Sequence, residues 1–551
     1  MIRRPSRFRR LALVLAGLLV MAAGLTSVPA TADDSWTRIS GSGSTWSQNA
    51  LDQWRRNVAS NYAMTVNYSG VGSSAGRTDF INRRVDFAIS EIPFQTNPTD
   101  NSAPERPTTK YAYMPIVAGG TSFMYNLKIG GKRVTNLRLS GTTITKIFTG
   151  AIKKWNDAAI QADNPGLKMP DRTIVPVVRS DGSGSSAQFT LWMSKTHSDI
   201  WKAGMTSQFP TPSGGKAQNG SLGVAGYVSQ NYGEGAITYV EYSYALKSGF
   251  PVAKVLNEAG YYIEPTASSV AVAMLKAKIN DNESSVDYLT QILDGVYGST
   301  DPRAYPLSSY SYMIVPTETT NVFTKKKGRT LGAFASYVLC EGQQQAAALG
   351  YSPLPMNLVM AGSDQIKRIP GAGSAGIDLA KCNNPTFKAG DSPSSNQLAK
   401  TAPQPADCDR KGPNQCTTGT AGAGSVETPT TGSGTGGSSA GAGSGGSGSG
   451  GSGSGDGSGA AAGGSGGDGG SGDASGDAGG GSGEAVYDSN GALVSGSTGT
   501  AVAASAPFTL ESDEWGAPQT LMLAAGILLV LAMVVPPLAS RRLRRGGSQQ
   551  S

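Results

Sequence analysis

Short apolar runs alternate with segments of helical period through much of the chain. Runs rich in β-branched and aromatic residues lie at Met64–Tyr68, Val85–Ile89, Met114–Tyr125, Ile174–Val178 and Ala236–Val240, and they read as strands. Apolar residues able to share one helical face fall at Gln48–Ala59, Ile144–Phe148, Ala187–Met193, Val270–Lys276, Ser284–Leu293 and Leu331–Ala348. This alternation predicts an α/β architecture with largely parallel sheets over about 33–390, long enough for two cores.

The pattern changes at both ends. Residues 1–32 carry five arginines, an apolar stretch from Leu11 to Leu25 and a small-residue Ala30-Thr31-Ala32 site, which together read as a signal peptide. Gln519–Ala539 is apolar over a length that spans a bilayer, and Arg541, Arg542, Arg544 and Arg545 follow as a basic cytoplasmic tail, 540–551. Between them, 417–514 is dominated by Gly, Ser, Ala, Thr and Asp, a composition that predicts a disordered tether with a mean reach of roughly 55 Å. Signal, tether and one C-terminal transmembrane helix predict a single-pass cell-membrane protein with its folded part extracellular.

Charge follows this division. The chain is +7 overall, but the signal supplies +5, the tail +4 and the segment 417–539 −10, leaving +8 on 33–416. That balance suits a small anion, and no basic run favours nucleic acid. The four cysteines, Cys340, Cys382, Cys408 and Cys416, allow three pairings in an oxidising compartment; the short spacing of Cys408 and Cys416 favours that bridge, leaving Cys340 with Cys382. His197 is the one histidine, in a polar helix end that predicts a solvated surface role. With no H-E-x-x-H, C-x-x-C or nucleotide-binding loop, nothing points to catalysis, a cofactor or a metal.

The chemistry concentrates in turns of small residues. In Ile174–Lys195, a strand passes through Arg179-Ser180-Asp181-Gly182-Ser183-Gly184-Ser185-Ser186 into a helix. The unpaired N–H groups and dipole of such a helix start favour an anion, serine hydroxyls add donors, and Arg179 adds a forked cation that Asp181 can hold. Gly41–Trp46 precedes another helix. Gly70–Gly76 follows the strand MTVNY, with only eight residues from Gly76 to the next strand, too few for a full crossover helix. Val85–Glu91 ends a strand on a carboxylate.

In order and spacing, GSGSTW, VNYSGVGSSAG, VDFAISE, FTGAIKKWND, RSDGSGSSAQFT and GAITYVEYSYA resemble the phosphate-binding proteins of bacterial phosphate ABC transporters. The resemblance covers about Ile39 to Pro355. It implies a two-lobed periplasmic-binding-protein-like fold with a hinge: lobe one at 33–116 and 305–390, lobe two at 117–304, then a Cys-containing extension at 391–416. It implies inorganic phosphate held between the lobes by Thr45, the backbone of Trp46, Ser73, Arg179, Ser183, Gly184 and Ser185, with Asp181 orienting Arg179. Glu91 stands where the family usually has aspartate, as acceptor of the ligand's proton, and Ser185 where it usually has threonine. The implied function is an extracytoplasmic receptor that delivers phosphate to an ABC permease. The alternative is a surface-anchored protein of the same fold that binds another oxyanion or serves adhesion.

Overall fold

The computed structural model describes residues 36–100, 102–285 and 287–431, with the backbone of a separate two-stranded ribbon, Val486–Tyr487 and Leu493–Ser495. The expected signal peptide, the membrane span 519–539 and the basic tail lie outside these residues. Among the described residues no helix is long and apolar enough to cross a membrane.

The first sheet is built from β1 (Ile39–Gly43), β2 (Val66–Gly70), β3 (Phe87–Ser90), the long β4 (Tyr111–Tyr125) and, much later in the chain, a strand at Ser308–Pro316. The second uses the far end of β4 with β5 (Val175–Arg179), β6 (Lys216–Gln218), β7 (Ala236–Glu241) and β8 (Val252–Leu256). With Ser308–Pro316 as β9, the order is β2-β1-β3-β9-β4-β7-β5-β6, and β8 lies beside β4. The sheets are mixed rather than largely parallel. β1 runs parallel to β2 and β3, and β5 to β6 and β7, but β9 and β4 are antiparallel to their neighbours.

β4 serves both lobes. Its Tyr111–Gly120 stretch pairs with β9 and its Thr121–Tyr125 stretch with β7. The crossing therefore lies inside one continuous strand, at 120/121 instead of the expected 116/117.

Helix α1 (Gln48–Tyr62) follows β1, and α2 (Ser73–Ile81) joins β2 to β3 across β1. This nine-residue crossover overturns the expectation that the segment was too short for one. Lobe two contributes α3 (Gly141–Phe148), α4 (Gly184–Thr196), α5 (Gly220–Ser229) and α6 (Ala267–Met274). Phe189 of α4, Phe148 of α3 and Tyr239 of β7 pack edge to face or tilted, with ring centroids 5.0–5.6 Å apart, and so seat α4 on the sheet.

Two helical expectations fail. At Ser284–Leu293, Asn280 and Asn282 just before it and Ser285 inside it bond to nearby backbone, and Gln291–Ile292 pairs with Lys278–Ile279, so local side-chain bonds displace the helix. Leu331–Ala348 is α7 (Lys325–Leu339), then a break at Cys340, a 3-10 turn (Glu341–Gln345) and a short helix (Ala346–Leu349). Cys340 is bonded to Cys382 and Cys408 to Cys416, as the spacing favoured.

The tether was expected to begin at 417, but residues up to Thr431 are packed on lobe two. Thr420 Oγ1 donates to Val252 O (2.6 Å), Asn136 Nδ2 to Cys416 O (2.7 Å), and Thr431 N–H to Gly166 O (2.8 Å). Lys254 Nζ reaches both carboxylate oxygens of Asp409, at 2.8 and 2.7 Å. Gly422 lies so close to Gly249 that a methyl group on it would come within 2.5 Å of the Gly249 Cα. Small residues that gain little by apolar burial are held here by backbone hydrogen bonds and close approach. Since Thr386 Oγ1 donates to Leu354 O (2.7 Å) in lobe one, this C-terminal strap spans both lobes.

Candidate functional site

Three helix starts face one another across the cleft. Gly72, just before α2, has φ +92°, and a side chain there would meet Asp181 Oδ2 of the other lobe at 2.5 Å. Ser74 N–H donates to Gly182 O (3.1 Å), and Gly184 N–H to Ser73 Oγ (3.2 Å), tying the start of α2 to the start of α4. From the turn after β1, Thr45 Oγ1 shares a hydrogen with Ser221 Oγ (2.9 Å) and accepts Ser221 N–H (3.1 Å) at the start of α5.

Arg179 is buried at the end of β5. Its N–H donates to the Tyr239 hydroxyl (3.2 Å), and its Nε donates to Asp181 Oδ1 (2.7 Å) while Nη2 bonds Oδ2. Nη1 remains directed at Ser221 Oγ (3.3 Å) and Ser185 Oγ (3.5 Å). Burial alone would push the Asp181 carboxyl up, but the Arg179 guanidinium and the Gly220 N–H outweigh it and hold the carboxyl below its ordinary range. Burial pushes the Tyr239 hydroxyl up to about 12, so it stays a neutral partner. Ser183 caps α4 by accepting Ser186 N–H (3.3 Å).

Glu91 enters this group of donors as a carboxylate. It is 1% exposed and accepts hydrogen bonds from Ser44 Oγ (2.5 Å) and Ser311 Oγ (2.6 Å) on Oε1, and from Ser73 Oγ (2.7 Å) on Oε2. A methyl group on Gly184 would lie 1.9 Å from Glu91 Oε2. The longer side chain therefore reaches across to the opposite lobe instead of folding back.

Thr45, Ser73, Glu91, Arg179, Asp181, Ser183, Gly184 and Ser185 thus share one site. The Trp46 backbone N–H adjoins it but is taken up by Ser44 Oγ (2.9 Å). Ser44, Ser221 and Ser311 were not singled out from the sequence. Asn219-Gly220-Ser221 at the start of α5 was a legible helix start, and Ser44 lies inside GSGSTW, whereas nothing local marks Ser311. His197 is not solvated as expected. It is half-buried edge-on to Trp192 at 4.9 Å, and burial pushes its pKa down.

Two lobes crossed by a shared strand, with helix starts facing across the cleft, define a solute-binding protein. A family model described as the PBP superfamily domain matches residues 27–341. The phosphate-binding protein PstS of Xylella fastidiosa (strain Temecula1) is 33% identical over 341 residues, covering 61% of this chain and 87% of that protein. Phosphate-binding protein PstS 2 of Mycobacterium tuberculosis is 33% identical over 328 residues, covering 57% and 82%. The chain belongs to this PstS family within the PBP superfamily. A structure described as a high affinity periplasmic phosphate-binding protein (PfluDING) bound with phosphate aligns at TM-score 0.45 and 20% identity over 58% of this chain and 92% of that one.

Proposed function

We propose that the protein is an extracytoplasmic receptor, not an enzyme, that takes inorganic phosphate between its lobes and delivers it to an ABC permease. The observation that carries this reading is the placement of Glu91, held by three lobe-one hydroxyls, against the start of α4 in lobe two. Thr45, Ser73, Arg179, Ser183, Ser185 and the N–H groups starting α4 supply hydrogen-bond donors and positive potential for a tetrahedral oxyanion. A carboxylate in such a site repels any anion unless the ligand brings a proton for it. Phosphate near neutral pH carries one and sulfate carries none. Rejection of a ligand that leaves a buried polar group unmatched reaches roughly 10⁴–10⁵. In the same reading, the Gly/Ser-rich chain beyond Thr431 tethers the receptor to a membrane helix at 519–539.

Calorimetric titration of the purified full-length protein with phosphate and with sulfate tests the reading. Saturable binding of phosphate with weak or no binding of sulfate is expected. Equal affinities for the two anions, or binding of neither, would overturn it.

A further inference from the structure

The three hydroxyls on Glu91 are not equivalent. In the first sheet β3 lies between β1 and β9. Ser44 follows β1 and Ser311 belongs to β9, so the strands on either side of β3 each send one hydroxyl to the same oxygen, Oε1 (2.5 and 2.6 Å). All three residues are at most 1% exposed. Two donated hydrogen bonds match the two lone pairs of that oxygen. Oε2 receives one, from Ser73, and faces Gly184 at the start of α4.

Ser73 has one proton to give. In this state it gives it to Oε2, while its oxygen accepts the Gly184 N–H. For Ser73 to donate to a ligand, its proton must turn away from Oε2, and Oε2 then needs another donor. We propose that Ser44 and Ser311 are positioning residues that lock Oε1 of Glu91, leaving Oε2 as the single acceptor for a proton carried by the bound anion, with Ser73 exchanging its hydroxyl from Oε2 to that anion. The exchange conserves hydrogen bonds for a protonated oxyanion: the ligand's O–H replaces the serine O–H on Oε2, and the serine O–H moves to a ligand oxygen. For an unprotonated dianion it leaves Oε2 without a donor and facing negative charge. Selectivity thus resides partly in two serines whose hydroxyls are directed at Glu91.

The inference rests on the reading of Glu91 given above, and the experiment separates the two. Phosphate and sulfate affinities are measured on the full-length protein and on Glu91→Gln, Ser44→Ala, Ser311→Ala, Ser311→Thr and Ser221→Ala. Either alanine change at Ser44 or Ser311 is expected to lower the phosphate-to-sulfate ratio by roughly tenfold or more, the worth of a hydrogen bond to a charged group. Ser311→Thr keeps the hydroxyl and restores the ratio. Ser221→Ala, which removes a partner of Arg179 and Thr45, weakens both anions alike and leaves the ratio where it was. A ratio changed by Glu91→Gln but untouched by Ser44→Ala and Ser311→Ala overturns the serine clamp and leaves the role of Glu91 standing. A ratio untouched by Glu91→Gln overturns both. Should Ser311→Ala fail to fold, Ser44→Ala carries the same test from the opposite strand.

Discussion

Glu91 Oε2, projecting from the end of β3 in lobe one, occupies the space that a side chain on Gly184, the first residue of α4 in lobe two, would need. One carboxylate oxygen and one bare Cα thus report whether the lobes are together. Gly184→Ala puts a methyl group 1.9 Å from that oxygen, so the closed arrangement has to open or expel Glu91. Phosphate affinity is expected to drop by roughly a hundredfold, since overpacking of this sort costs about 1–3 kcal/mol. The melting temperature changes much less than affinity does. Titration and thermal unfolding of the same variant check this, and unchanged affinity would remove Gly184 from the contact.

Lobe closure should be measurable directly. Thr45, Ser73 and Glu91 on one lobe meet Ser221, Gly184 and Gln188 on the other through direct contacts, and Gln188 Nε2 donates to Glu91 O at 2.7 Å. Opening breaks these and binding restores them. Small-angle scattering with and without phosphate is expected to show a smaller radius of gyration with ligand. An identical radius despite binding would mean that the lobes do not move.

A second buried carboxyl sets a pH dependence. Glu241 ends β7 fully buried, its Oε2 accepting Ser243 N–H (2.8 Å). Burial pushes its pKa well above the ordinary carboxylate range. The folded protein therefore holds a proton that the unfolded chain releases once the pH exceeds that range. The unfolded state then binds fewer protons, and stability falls as pH rises. Glu241→Gln removes this loss. Its melting temperature should exceed that of the wild type by roughly a few degrees at pH 8, with the gap closing toward pH 4–5. A gap independent of pH would show that Glu241 is ionised in the fold.

One ion pair ties the strap to β8. The Lys254 and Asp409 side chains are each 11% exposed, and removing one partner strands the other charge in a poorly solvated place. Lys254→Ala is expected to speed hydrogen exchange across 406–431 without changing exchange in β1 to β3. Uniform protection in the variant would show that the strap is held by its backbone bonds alone.

How much of this was legible varies with the physics of each segment. The strand–turn–helix around Arg179 was plain, because β-branched residues, glycines and a helical apolar face follow one another within it. β1 was not, since ISGSG carries only one strongly β-forming residue. It is a strand because it pairs in parallel with β2 on one side and β3 on the other, and it is small because a methyl on Gly41 would meet the Phe87 ring at 2.2 Å. Ser311 was invisible for a different reason, as its partner lies 220 positions away and only the strand order brings them together. The strap was misread because low-complexity composition measures apolar content and says nothing of backbone hydrogen bonds to a neighbouring lobe.

On the proposed tether, the strap also sets where force enters the molecule. The chain beyond Thr431 is attached through the Thr431 N–H to Gly166 O bond (2.8 Å), backed by the Cys408–Cys416 staple and the Lys254–Asp409 pair. The hydrogen bond and the ion pair grip lobe two, and the disulfide closes the strap on itself between them. On the proposed tether, a pull along that chain loads these lobe-two contacts first and reaches lobe one only through the contacts farther up the strap, such as Thr386 Oγ1 to Leu354 O.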